Sequence, residues 1–172
     1  MKYLAILLLT IFIGSGLYAQ SKPSLAILPF TGENSYDAET IAEFFSFQPD
    51  IERNFTIIPR TSAIENVIKE HLFQRAGLTD SDTIAQMGKQ LNADFVLSGH
   101  ITGLGSEKLL MVMIVSVEHF QQIAGNYRRY SRIEETIHFL PAMARRILNA
   151  TRQDTSKLSR LAVLPFNTLA AE

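Results

Sequence analysis

A chain of 172 residues, 47% hydrophobic and 19% charged, can bury one substantial core and is too apolar to remain unfolded. Sixteen Lys and Arg against seventeen Asp and Glu leave a net charge of −1, which gives no electrostatic case for a nucleic-acid partner. The absence of Cys removes disulfides, thiolate metal sites, cysteine nucleophiles and a lipid-modified Cys, so stability has to come from packing.

Residues 1–19 have the pattern of a secretory signal. Lys2 supplies the positive start, residues 3–13 are apolar except for Thr10, Gly14-Ser15-Gly16 breaks a helix, and Leu17-Tyr18-Ala19 offers a cleavage site before Gln20. The apolar run is shorter than the roughly 20 residues a membrane-spanning helix needs. The expectation is a cleaved leader and a periplasmic chain without a stable membrane anchor, and not a lipoprotein.

Residues 24–30, Ser-Leu-Ala-Ile-Leu-Pro-Phe, read as a buried strand with Pro29 at its exit. From about Asp37, Ile41, Phe44, Phe45 and Gln48 recur at helical spacing, and Pro49 is expected to limit that helix. Residues 55–58 predict a second strand closed by Pro59. Ser62 and Glu65 form a capping box for a second helix, with Ile64, Val67, Ile68, His71 and Leu72 on one face. Asp80 or Ser81 caps a third, with Ile84, Met87, Gly88 and Leu91 as its stripe. Residues 94–103 and 108–118 predict a hairpin turning at Leu104-Gly105-Ser106-Glu107. Because residues 109–115 are apolar throughout, that strand is expected to be covered on both faces. Residues 120–130 suggest a further strand, and Ile133 to Leu148 an amphipathic helix kinked or broken at Pro141. The order predicts an α/β fold, a two-layer or three-layer sandwich with a small mixed β-sheet and packed helices.

Residues 161–166, Leu-Ala-Val-Leu-Pro-Phe, repeat residues 25–30 with one conservative change. The expected organisation is a leader at 1–19, one α/β domain at 20–152, a linker at 153–160, and the start of a truncated second repeat at 161–172.

Little in the sequence points to chemistry. His71, His100, His119 and His138 show no metal-ligand spacing, and a hydrogen-bonded structural role is expected for each. Gly99, Gly103 and Gly105 join strand to strand, so they present no helix N-terminus to phosphate. No Ser lies in a Gly-x-Ser-x-Gly elbow, and the carboxylates Glu134 and Glu135 fit a helix start. No catalytic, cofactor-binding or metal-binding residue is assigned. Arginines gather late in the chain at Arg128, Arg129, Arg132, Arg145 and Arg146, and they form a candidate patch for an acidic partner.

With the segments placed, a likeness emerges. The opening Leu-Ala-Ile-Leu-Pro-Phe, the junction Ile57-Ile58-Pro59-Arg60-Thr61-Ser62, the stretch Gln74-Arg75-Ala76-Gly77-Leu78-Thr79-Asp80, and residues 84–101 together resemble the CsgG/LpoB group and the related TolB N-terminal-like domains. The resemblance covers residues 25–150 and implies an α/β sandwich without catalytic positions. It also implies an envelope protein that binds other proteins, in the manner of a peptidoglycan-synthase (penicillin-binding protein) activator. In the matched segments, Gly88 is expected to let helix and strand approach closely, Ala93-Asp94 to form a turn, and Gly99 to permit a bulge or close contact. Arg60 is the matched charged residue considered for partner binding, beside Arg128, Arg129 and Arg132. The alternative that the resemblance offers is a subunit of an oligomeric CsgG-like secretion or scaffold assembly, with self-association.

Overall fold

The computed structural model describes residues 22–59, 65–66 and 80–152. The expected leader, the body of the helix capped by Ser62, Arg60, His71, the linker and the repeat lie outside those residues.

Strand β1 spans Ser24–Ile27, and Leu25, Ala26 and Ile27 are all buried. Pro29 has no amide for the ladder, so the chain leaves β1 after the Leu28 N–H donates to Leu97 O at 3.0 Å. The two-residue strand β2, Thr31–Gly32, then rejoins the sheet. Helix α1, Ser35–Ser46, is capped by the Asn34 side chain, which accepts from the Asp37 N–H at 3.2 Å. Beyond it Pro49 starts a new helix, α2 (Pro49–Asn54), where its fixed φ is preorganised and its missing donor costs nothing. This short helix was not expected from the sequence. Strand β3 is Thr56–Ile57, and α3 (Ser81–Gln90) starts from Asp80, whose carboxylate accepts from Asp82 N–H and Thr83 Oγ1.

Strands β4 (Phe95–Leu104) and β5 (Glu107–Ser116) form the expected hairpin, turning at Gly105, with φ +65°, and Ser106. Strand β6 is Gln121–Tyr130, and one 3₁₀ turn at Ile133–Glu135 leads into α4, Thr136–Thr151. Helix α4 continues through Pro141, so the break that was one of the two expected outcomes does not occur. The proline removes only the donor that would reach the carbonyl of Ile137, an exposed residue to which solvent has access. Among the described residues no helix is long and apolar enough to cross a membrane.

The sheet order is β3-β1-β4-β5-β6, with β2 also paired to β4. Strands β3, β1, β2 and β4 run parallel, whereas β4-β5-β6 is an antiparallel meander. The fold is therefore mixed α/β. Alternation along each strand sends Leu25, Ile27, Leu97, Ile101, Leu110, Val112 and Ile114 to one face, under α1, α2 and α4. Ala26, Leu28, Val96, Val115 and Val117 face the other way, onto Ile84, Ala85 and Met87 of α3. Among the described residues, α3 covers only part of that second face. Leu109, Met111 and Met113 are half-buried, so β5 is central in the pairing but is not enclosed on both sides as expected.

Two glycines and one turn fit the close contacts read from the sequence. A Cβ on Gly88 would strike Val96 and Val117, and one on Gly99 would enter the Phe30 ring. Asn92 takes a positive φ of 54° in the turn before β4. Asp94 Oδ2 then accepts from the Ser24 N–H at 2.7 Å and from Ser24 Oγ at 2.8 Å, tying the start of β4 to the start of β1.

Candidate interaction surface

One group of titratable side chains is gathered inside the fold. Asp37 is 4% exposed. Its Oδ2 accepts from Lys108 Nζ at 2.5 Å and from the Tyr130 hydroxyl at 3.1 Å, so α1, β5 and β6 meet at one carboxylate. Burial, and then the neighbouring Asp37 charge and hydrogen bond, push the Tyr130 phenol well above its ordinary range. The Lys108 ammonium also lies 5.7 Å from the Tyr130 ring centroid. This cluster clamps α1, β5 and β6 together. The sequence alone does not point to this role for Asp37, because a contact with residues 71 and 93 positions away leaves no local pattern.

Of the three described histidines, His100 and His119 have the expected structural partners, whereas His138 does not show the expected hydrogen bond among the described residues. His100 Nδ1 is 2.8 Å from Thr31 Oγ1, fastening β2 to β4. His119 Nδ1 is 3.1 Å from Ser116 Oγ, which also accepts the His119 N–H at 3.4 Å. That pair borders a cleft of about 440 Å³ shared with Asp94 and Glu118. The geometry is that of a serine-capped turn. Asp94 Oδ2 is taken by Ser24, and among the described residues no carboxylate bonds the imidazole. A nucleophile–base pair needs such an orienting group and an oxyanion site as well. His138 is exposed, and no cluster of three or more His, Asp or Glu among the described residues is placed to hold a metal.

Of the predicted arginines, Arg128 and Arg129 sit on the outer strand. Among the described residues β6 pairs with β5 alone, which leaves ten residues along one edge of the sheet. Arg128 and Arg129 are exposed near its end, and Tyr127 beside them is 68% exposed. The arginines do not form one patch. Arg128 stands across from Leu110 on the α4 face, while Arg129 stands across from Leu109 on the opposite face, 3.9 Å from Glu107. Arg132 lies just past the strand and pairs with Glu135 at 3.7 Å. Arg145 is on α4 beside Asp50 at 3.4 Å, away from this strand.

The ladder shows which amides of β6 face outward. Val117 N–H donates to Asp94 O, so odd-numbered residues of β5 bond β4 and even-numbered ones bond β6. Asn126, Arg128 and Tyr130 oppose those even residues, and Gly125, Tyr127 and Arg129 therefore point their backbone groups away from the sheet. The Tyr127 N–H accordingly donates to its neighbour's Asn126 Oδ1 at 2.8 Å. A register shift opposite Ile114 and Val115 leaves Ile123 unpaired and bends the strand, so its regular part is Ala124 to Tyr130.

No protein-family model and no curated protein sequence matches the chain. Among solved structures, the chain is similar to the LpoB C-terminal domain from Salmonella enterica at 12% identity and a TM-score of 0.48, over 73% of this chain and 93% of that one. Lipoprotein GNA1162 from Neisseria meningitidis matches at 13% identity and a TM-score of 0.46, over 74% and 97%. TolB from Acinetobacter baumannii matches at 16% and 0.46, over 75% of this chain and 29% of its own.

Proposed function

We propose that the exported chain is a non-catalytic cell-envelope module that binds another envelope protein, with a peptidoglycan synthase as the first partner to test. One observation carries the reading. The outer strand β6 keeps a row of backbone groups and the side chains of Tyr127, Arg128 and Arg129 at the surface, whereas the buried Asp37 carboxylate is engaged inside the fold. The sequence resemblance to the CsgG/LpoB group supports the same reading. The β4–β5 hairpin packs Ile101, Leu110, Val112 and Ile114 into the core, which favours a binding module over a hairpin that lines a channel.

The test uses the protein purified after export and a penicillin-binding protein of the same organism. Saturable binding with a faster rate of glycan polymerisation is expected. No binding at about 0.1 mM, where even weak complexes of about −5 kcal/mol register, would contradict the proposal.

A further inference from the structure

Resting on the reading that the chain binds an envelope protein, we infer that the partner docks as an extended segment added to the outer edge of β6, and that this segment carries two consecutive acidic residues. The amides of Gly125, Tyr127 and Arg129 face outward along a straight run, which is the template that strand addition requires. Among the described residues the opposite edge of the sheet, β3, has only two residues and offers no comparable ladder.

Charge selects the occupant. Arg128 has no ion-pair partner among the described residues, and Arg129 is 64% exposed, 3.9 Å from Glu107. Because the two arginines stand on opposite faces of the sheet, a strand laid beside them meets both with adjacent residues, which also alternate faces. Opposite charges across a strand pair are favourable and like charges are not. A second copy of this chain fits less well. Antiparallel pairing of the straight run about Tyr127 sets Arg128 of one copy diagonally to Arg128 of the other, about 7–8 Å apart. The Tyr127 amide is held meanwhile by the Asn126 side chain, which an incoming carbonyl displaces.

The test titrates isotope-labelled protein, purified after export, with a short capped peptide, Thr-Val-Thr-Glu-Glu-Val-Thr-Val, and with its Lys-Lys counterpart at low salt. The acidic peptide is expected to shift the amide resonances of Gly125, Tyr127 and Arg129, to slow their exchange, and to bind about tenfold tighter than the basic one, an advantage that added salt removes. The Arg128→Glu, Arg129→Glu double variant is expected to reverse the preference. Equal binding of both peptides, no binding of either, or shifts confined to other surfaces overturns the inference. So does a concentration-dependent shift of the same amides without peptide, which would assign the edge to a second copy. If the synthase binds and the double reversal and Tyr127→Pro leave that binding unchanged, strand addition fails while the partner reading stands. If the synthase does not bind at all, the partner reading itself fails.

Discussion

Asp37 is the residue whose removal or isolation should be felt most widely, since one oxygen holds Lys108 and Tyr130. Lys108→Met leaves a buried carboxylate without its cation, and Lys108 is itself one-third exposed, so the expected loss is about 2 kcal/mol in urea unfolding. Tyr130→Phe removes one hydrogen bond and should cost about 1 kcal/mol at neutral pH. The pH dependence follows from the same site. Folding holds the Tyr130 proton more tightly than the unfolded chain does, so this stabilisation is complete below the ordinary phenol value of 10.0. It fades as pH rises above that value, and Tyr130→Phe should flatten the alkaline fall in melting temperature. Gly88→Ala and Gly99→Ala belong at this scale too. Each inserts a methyl into occupied space, at Val96 and Val117 or at the Phe30 ring, and each should lose about 1–3 kcal/mol. For Gly88 this overrides the roughly 1 kcal/mol that Ala gains in a helix.

At the scale of elements, β6 differs from β4 and β5 in having one side of its ladder free among the described residues, and proline can read that difference. Tyr127→Pro deletes an outward donor and should cost less than about 1 kcal/mol, whereas Asn126→Pro deletes a bond to β5 and should cost about 3 kcal/mol. Thermal melts of the two variants make the comparison. The hairpin strands and α3 were legible because the strands carry long β-rich runs, the helix carries a 3.6-residue apolar stripe, and their turn and cap residues, Gly105 and Asp80, sit where the physics needs them. Helix α2 was not, since a helix of six residues with Ile51 as its buried contact leaves almost no period. Its one local signal, Pro49 at a helix start, was read as a stop. The half-covered face of β5 was hidden for a different reason. An all-apolar strand has no alternation to show which side carries the thinner layer, and that depends on where α3 lies.

At the scale of the molecule, a sheet with α1, α2 and α4 on one face and α3 on the other buries most of the large apolar side chains among the described residues. Arg128 and Arg129 were legible as a charged pair on an expected strand, whose alternation puts them on two faces, but the place of that strand at an edge was not, because the position of β6 in the sheet is a tertiary fact. The outer row of backbone groups beside them is equally invisible to a side-chain pattern. The central claim is that this protein works by what it binds along that row. Hydrogen exchange of the purified protein, alone and saturated with the proposed peptidoglycan-synthase partner, tests it most directly. Protection centred on the amides of Gly125, Tyr127 and Arg129 is the predicted result; protection centred instead on the Ser116–His119 cleft, with β6 unchanged, would contradict it.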